Sequence, residues 1–184
     1  MFKFQEKILL NEIKRGDQAA LGKLYNEYVD KIYRFIYFNV SSIENAQDLT
    51  SQLFIRLLNY LANNQKAEID NLQAFLFAMA RNLLIDFYRS SSHRLEMPID
   101  EFIEENISDR HNFEDLLNDK LEIEALDEKL KLLPEDYREI IVLRFVNEFS
   151  FKEIANIIGS SEGNTRIKAF RGLKMLRNSL KRKA

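Results

Sequence analysis

The stretch SFKEIANIIGSSEGNTRIKAFRGLKMLR, residues 150–177, decides the fold of this chain. Ser150 is followed three residues later by Glu153, and this spacing is a capping box, which begins a helix. Gly159 can adopt the left-handed conformation in which many helices end. Either of the two serines after it, Ser160 or Ser161, can cap a second helix. Two helices joined by a tight glycine turn are typical of a helix-turn-helix.

The second of these helices has an apolar stripe and a cationic face. The residues of the predicted stripe are Ala169, Leu173, Leu176 and Leu180. No acidic residue follows Glu162, whereas Lys and Arg recur up to Lys183. A solvated cationic face on an ordinary all-α domain would show a similar pattern. The density of cations favours the other interpretation, a helix that contacts DNA phosphates and enters the major groove.

Composition restricts the class of protein. The chain has 184 residues, 46% of them hydrophobic, with only five glycines and two prolines, which predicts an all-α fold. It has no cysteine, and its two histidines, His93 and His111, lie in a polar segment without metal-ligand spacing. We therefore expect no metal, no cofactor and no cysteine chemistry. Charges interrupt every apolar run, so we expect a cytoplasmic protein without membrane insertion.

Apolar periodicity predicts four helices before residue 90. They run from about 3 to 14, from 18 to 39 with Asp17 as its cap, from a cap at Ser41 or Ser42 to about 62, and from 72 to 89. On the second helix we expect an apolar row of Leu21, Tyr25, Tyr28, Ile32 and Phe35 or Ile36. On the third, the predicted apolar stripe is Leu49, Leu53, Leu57 and Leu61, opposite Asp48, Gln52 and Arg56. Helices of these lengths can bury one core in a small bundle.

The composition changes after residue 90. Residues 90–112 contain Pro98 and a cluster of acids, which predicts a flexible acidic linker. A plain solubilising linker is favoured over one that folds back on the basic tail or imitates nucleic acid. A helix is expected from 113 to 133, and Pro134 fits the first position of the next, which covers EDYREIIVLRFVNE. The predicted division is a helical domain over 1–92, a linker over 93–112 and a second helical domain over 113–184.

Three blocks together resemble the sigma factors of the extracytoplasmic-function group, the two-domain specificity subunits of bacterial RNA polymerase. The blocks are AQDLTSQLFIRLL (46–58), FLFAMARNLLIDFYR (75–89) and the stretch from LPEDYREI to GLKML (133–176). Asn164–Thr165 stands where this family usually has a threonine-valine pair, and Ser160 where it has an apolar residue. The resemblance therefore implies the class of protein and leaves the preferred bases open.

The resemblance implies a non-catalytic subunit that binds core RNA polymerase, directs it to promoters and helps to melt them. Its expected partners are core polymerase, promoter DNA and an anti-sigma factor, with no small-molecule substrate. The resemblance implies core polymerase docking by Asp48, Gln52 and Arg56. The loop 63–71 and the helix after it would take the minus-ten element, through Asn64, Lys66, Arg81, Asn82 and Arg89. The second domain would bind the minus-thirty-five element, with Asn164, Arg166, Lys168 and Arg171 on the bases and Lys174, Arg177 and Arg182 on phosphates.

Two further assignments concern the fourth helix. Phe75, Leu76, Met79 and Leu83 are expected in the core, and Asp86 is expected to tie this helix to a neighbour. Two other classes of protein remain as alternatives. A one-component regulator would use residues 1–90 for dimerisation or ligand sensing and would bind an operator alone. An enzyme acting on nucleic acid is disfavoured, because the chain has no Ser/His/Asp order, no glycine-rich phosphate loop and no cluster of metal ligands.

Overall fold

A computed structural model describes residues 2–66, 68–90 and 123–181. In these ranges all regular secondary structure is helical, which confirms the all-α prediction. The expected linker at 93–112 and the first part of the helix expected from residue 113 lie outside the described residues, as does Arg182. Within the described ranges, no helix is long and apolar enough to cross a membrane.

In the part of the chain that the structure describes, four α-helices come before residue 91 and four after residue 122. The first group is α1 (Phe2–Lys14), α2 (Gln18–Val40), α3 (Ile43–Asn63) and α4 (Leu72–Ser90). The second group is α5 (Ile123–Leu130), α6 (Glu135–Ile141), α7 (Phe151–Ile158) and α8 (Glu162–Lys181). A π-helical turn, Val142–Val146, continues α6.

The ends of α2 are set by residues with distinct capping chemistry. Asp17 Oδ1 accepts hydrogen bonds from the backbone N–H groups of Ala19 and Ala20, at 2.8 and 3.1 Å, and so caps α2. Ser41 ends α2 in the left-handed conformation, at φ 53°. Ser42 then begins α3 and accepts from the N–H of Asn45 at 3.3 Å. The two neighbouring serines therefore have different roles, one closing a helix and one opening the next.

The core of the first group follows the predicted stripes with one correction. The stripe of α3 is buried as expected, at Leu49, Leu53, Leu57 and Leu61. On α2, however, Tyr25 is 44% exposed and Leu24 is fully buried in its place. Leu24 lies four residues before Tyr28, on the same side of the helix, whereas Tyr25 is rotated by about 100° from Leu24. Burial of each large apolar side chain stabilises the fold by about 2 kcal/mol.

In the second group, α8 packs closely against α6. A Cβ atom on Gly172 would lie 3.2 Å from Ile141 Cγ1, so the missing side chain allows this close approach. Pro134 is the residue before α6 and not its first helical residue, because its ψ of 149° is extended. The expected boundary was therefore wrong by one position.

The helix predicted to run through EDYREIIVLRFVNE does not continue as an α-helix to its end. The N–H of Asn147 donates to the carbonyl of Val142 at 3.1 Å, five residues earlier, as in a π-helix. Glu148 then takes a left-handed φ of 62°. Phe149 is buried as a result, and its ring lies 4.7 Å from the ring of Phe77 on α4. The π-helical turn thus brings the second group of helices onto the first.

Arg138 on α6 forms hydrogen bonds to both groups of helices. Its guanidinium donates to the backbone carbonyl of Asn39 in α2 at 3.0 Å. It also donates to the carbonyl of Leu130 at the end of α5 and to those of Lys131 and Leu133 after it, at 2.9, 3.2 and 3.0 Å. These carbonyls belong to helix ends, where intrahelical partners are lacking. One side chain therefore donates hydrogen bonds to carbonyl groups at several helix ends and links α6 to both α2 and α5.

Candidate nucleic-acid interface

The helix-turn-helix has the capping geometry that its sequence predicts. The N–H of Glu153 donates to Ser150 Oγ at 3.3 Å, and the N–H of Ser150 donates to Glu153 Oε2 at 2.9 Å. Gly159 ends α7 at φ 69°, in the left-handed region. Of the two serines that follow, Ser161 accepts from the N–H of Asn164 at 3.2 Å and begins α8. The capping box, the glycine turn and the second helix are therefore confirmed.

One side of α8 is buried and fixes its rotation. Ala169 and Leu176 are buried and Leu173 is partly buried, as predicted, while the side chain of Leu180 lies outside the described residues. Thr165 is also fully buried, and its hydroxyl donates to the carbonyl of Ser161 at 2.9 Å. Because Thr165 points inward, the residues on either side of it face solvent.

The exposed side of α8 carries the residues expected to read bases, and each has a polar neighbour. Asn164 donates from Nδ2 to Ser160 Oγ at 3.0 Å. Arg166 Nη2 lies 2.6 Å from Glu162 Oε1, and its guanidinium lies 5.4 Å from the ring centre of Phe151. Stacking on an aromatic ring restricts the rotamers of an arginine and holds its outer edge in one direction.

The other three candidate residues of α8 lie one to three turns further along. Lys168 Nζ lies 2.8 Å from Asp136 Oδ2 of α6, so this cation is partly neutralised within the protein. Arg171 is half-buried, and Lys174 is exposed. The structure brings all five predicted residues onto one helix, where Asn164, Arg166 and Lys174 are exposed.

The residues expected at the minus-ten element divide into two environments. Asn82 and Arg89 on α4 are exposed, and so are Asn64 and Lys66 in the loop between α3 and α4. Asn64 also donates from Nδ2 to the carbonyl of Tyr60 at 2.9 Å, which holds the start of the loop against α3. Arg81, by contrast, points toward the second group of helices.

Arg81 forms an ion pair with Glu139 on α6. Arg81 Nε and Glu139 Oε1 are 2.9 Å apart, and the side chains are only 27% and 15% exposed. Burial raises the pKa of Glu139 from 4.5 to about 7, and Asp136 adds to that rise, while Arg81 and Lys168 oppose it. In this arrangement Arg81 is not presented to DNA, and the prediction that it contacts phosphate requires the pair to separate.

The face of α3 expected to dock on polymerase is exposed. Asp48 and Gln52 both face solvent. Arg56 is also exposed, and its Nη1 lies 3.4 Å from Asp86 Oδ2 of α4. Asp86 was expected to tie α4 to a neighbouring helix, and the structure places it there. The exposed apolar side chain of Ile55 lies beside these polar residues.

Sequence reasoning missed Arg138 and Glu139, two residues of α6 that contact the first group. Their partners, Asn39 and Arg81, lie far away in the sequence, so no local periodicity could reveal the contacts. The only sequence signal was an Arg-Glu pair inside a predicted amphipathic helix. No group of three potential metal ligands occurs within residues 2–66, 68–90 and 123–181.

Comparison of the sequence with known proteins identifies the family of this chain. The family model of sigma-70 region 2 matches residues 24–94 of the sequence, and the family model of sigma-70 region 4 matches residues 123–176. The extracytoplasmic-function sigma factor BldN of Streptomyces coelicolor is 33% identical over 168 residues, which cover 91% of this chain and 63% of BldN. The chain belongs to the extracytoplasmic-function group of sigma-70 factors. It is therefore an RNA polymerase sigma factor, and α7 and α8 form the helix-turn-helix of its region 4.

Other relatives agree with this assignment. The sigma factor SigW of Bacillus subtilis is 26% identical, and the match covers 94% of this chain and 95% of SigW. Among solved structures, CnrH in complex with the cytosolic domain of CnrY superimposes with a TM-score of 0.70 at 19% identity, covering 96% of this chain and 97% of CnrH. At that identity the structural likeness supports the fold of this sigma factor and not the roles of single residues.

Proposed function

We propose that this sigma factor binds core RNA polymerase, directs it to specific promoters and helps to melt them, without catalysing a reaction itself. The observation that carries the proposal is the helix-turn-helix of α7 and α8, whose reading face is exposed at Asn164 and Arg166 while Thr165 is buried. We further propose that the chain acts as two domains, 1–92 and 113–184, joined by an acidic linker over 93–112. The linker would allow the two domains to reach promoter elements that lie apart on the DNA.

For the minus-thirty-five element we propose that α8 reads duplex DNA in the major groove. Asn164 suits adenine edges, and Arg166 and Lys168 suit guanine. Arg171 is the fourth candidate for reading bases, and Lys174 suits phosphates, which position the protein without specifying the sequence. Arg166 is paired with Glu162 and Lys168 with Asp136, so each cation is held in a defined direction and would exchange its carboxylate for a base on binding DNA.

For the minus-ten element we propose that α4 and the loop before it receive melted DNA. Asn82 would contact a base or the backbone, Arg89 would contact phosphate, and Asn64 and Lys66 would line the entrance of the loop. Unpairing a base costs a few kcal/mol, which pocket contacts and stacking can offset. Arg81 would join them after leaving Glu139, so promoter binding and the packing of α4 on α6 would compete for the same side chain.

Core polymerase would dock on α3. A polar and charged face, such as that of Asp48, Gln52 and Arg56, suits an interface that must form and then separate. We propose an anti-sigma factor as the second protein partner; the sigma factor RpoE of Bartonella quintana was solved in complex with the anti-sigma factor NepR, and this chain has a similar fold. Since its proposed targets are polymerase and promoter DNA, we place its activity in the cytoplasm.

Reconstitution tests the proposal. The purified protein is combined with bacterial core polymerase, and co-elution and run-off transcripts from the promoter upstream of its own gene are measured. We expect both with the unchanged protein. The double variant Asp48→Ala/Arg56→Ala should lose co-elution, whereas Asp30→Ala/Arg34→Ala, the same pair of charges on the exposed side of α2, should keep it.

Two outcomes of this experiment would count against the proposal. Specific binding of a palindromic operator by the protein alone, with no association with polymerase, would identify a one-component regulator. Co-elution that is equally strong in both double variants would show that polymerase docks elsewhere than on the proposed face of α3.

A further inference from the structure

Helix α1 lies against the loop between α3 and α4. The region 2 match begins at residue 24, after α1 has ended. Its attachment to the bundle is firm, because Leu10 and Ile13 are buried in the core. The hydroxyl of Tyr28 on α2 also donates to Glu6 Oε1 at 3.1 Å. α1 is therefore fixed to the first group of helices and can serve as a support for what lies beside it.

Two lysines extend from α1 to this loop, whose described residues are 64–66 and 68–71 and which is called here the minus-ten loop. Lys7 Nζ lies 3.3 Å from Glu68 Oε2 and 3.9 Å from Asp70 Oδ1. Lys14 Nζ donates to the backbone carbonyl of Gln65 at 3.1 Å. Because the two lysines are seven residues apart, about two helical turns, they lie on the same side of α1. One face of α1 thus contacts the loop near its beginning and near its end.

Hydrogen bonds also fix the minus-ten loop at its two ends. Asn64 donates to the carbonyl of Tyr60, and Asn71 Oδ1 accepts from the N–H of Ala74 at 2.9 Å, which caps α4. Ile69 is buried and inserts into the core. The carboxylates of Glu68 and Asp70, in contrast, are 79% and 91% exposed. Their positions depend on Lys7 more than on packing.

We propose that Lys7 and Lys14 are positioning residues, which hold the minus-ten loop in the shape that captures a melted minus-ten base. The inference rests on the proposed function, since it concerns the loop to which that function assigns the base. Two physical effects support it. A loop that is ordered beforehand loses less conformational entropy when it binds. A lysine beside two exposed carboxylates also lowers their repulsion toward the phosphates of the incoming strand.

The expected effect is modest for one lysine and larger for two. Each exposed ion pair contributes little to the free energy of the ordered loop. We therefore expect the loss of one lysine to change the affinity for unpaired DNA about two- to fivefold. Loss of both should lower the capture of unpaired DNA by about tenfold, given that the two contacts act at separate points of the loop. Duplex recognition at the minus-thirty-five element should not change, because it is assigned to α8.

The test uses holoenzyme reconstituted from core polymerase and the full chain. Fluorescence anisotropy measures its affinity for two probes, a single-stranded oligonucleotide with the non-template minus-ten sequence and a duplex that ends upstream of that element. We expect Lys7→Ala/Lys14→Ala to weaken binding of the single strand about tenfold and to leave duplex binding and the melting temperature unchanged. Lys7→Arg should retain capture, because arginine can still pair with Glu68 and Asp70.

Lys23→Ala is the matched control, since it removes one exposed lysine from α2. Equal single-strand affinity in the double variant and the Lys23→Ala control would overturn the inference and leave the proposed function intact. An equal loss of affinity for the single strand and for the duplex would also overturn the inference, because it would indicate a general effect of charge or a loss of folding. If the unchanged holoenzyme does not bind the single strand at all, the minus-ten assignment itself fails, and the inference fails with it.

Discussion

The Nε atom of Arg81 on α4 lies 2.9 Å from the Oε1 atom of Glu139 on α6, and this ion pair joins the first four helices to the last four. The carboxylate is largely buried, and burial raises its pKa to about 7 in spite of the nearby guanidinium. The environment therefore disfavours the charged carboxylate more than Arg81 stabilises it. It follows that the packed arrangement of the helices binds a proton that an exposed glutamate would have released.

The first prediction concerns the pH dependence of stability. Because the folded pKa of Glu139 is raised, its contribution is fully present below pH 4.5 and is lost as the pH rises through about 7. Glu139→Gln removes the titration and keeps an acceptor for Arg81. We expect the free energy of unfolding of this variant, relative to the unchanged protein, to rise between pH 5 and pH 8 by at most about 3 kcal/mol. Urea unfolding at the two pH values measures the difference.

A control for this experiment is Glu44→Gln, which removes an exposed acid of α3 that does not contribute to the raised pKa of Glu139. We expect the rise between pH 5 and pH 8 with Glu139→Gln and not with the control. A difference between Glu139→Gln and the unchanged protein that is constant from pH 5 to pH 8 would show that Glu139 does not titrate in this range.

The second prediction concerns Arg138, whose guanidinium donates to four backbone carbonyls. Arg138→Ala leaves these acceptors without that donor, and we expect a loss of about 3 kcal/mol in the free energy of unfolding. Arg138→Lys should recover only a small part of the lost stability, because one ammonium group cannot reach carbonyls on two helix ends. Arg34→Ala, an exposed arginine of α2, is the control and should change stability by less than about 0.5 kcal/mol. Equal effects of Arg138→Ala and Arg34→Ala would contradict the structural role.

Local features of the fold were predictable because their causes lie within a few residues. Ser150 and Glu153 fix a helix start by mutual hydrogen bonds, and Gly159 fixes a helix end by its φ. The stripe of α3 follows from periodicity alone. The apolar row of α2 was partly wrong, because Tyr25 and Leu24 are both apolar and only the packing of neighbouring helices decides which one is buried.

Contacts between the two groups of helices were not predictable in this way. Arg81 was assigned to DNA phosphate from its place on α4, yet its partner in the structure is Glu139. A cation on a helix face looks the same in sequence whether it meets phosphate, solvent or a carboxylate from a distant helix. The π-helical turn is a second example, since Val142–Val146 has ordinary helical residues and the change in hydrogen bonding accompanies the burial of Phe149 against Phe77.

The third prediction concerns the capping box of the helix-turn-helix. Ser150→Ala removes the acceptor for the N–H of Glu153 and should lower the free energy of unfolding by about 1 kcal/mol. Ser51→Ala, in the middle of α3, should not destabilise the protein, because its hydroxyl bonds back to the carbonyl of Gln47 and alanine favours helices. Thermal unfolding of both variants measures the difference. A Ser150→Ala variant as stable as the unchanged protein would show that packing alone holds α7.

The last prediction separates reading of bases from binding of phosphates on α8. Asn164 is exposed near the beginning of the helix, and its amide, oriented by Ser160, can make two hydrogen bonds to an adenine edge. Asn164→Ala should therefore weaken the binding free energy for the preferred minus-thirty-five sequence by about 1–3 kcal/mol and reduce the preference at one base pair. Lys174→Ala should weaken binding by a similar factor on all sequences and reduce the salt dependence of the affinity by about one phosphate contact. Binding of holoenzyme to a set of duplexes, each with one base pair changed, distinguishes the two variants. A uniform loss with Asn164→Ala would place the bases out of its reach and would shift the reading role to Arg166 and Lys168.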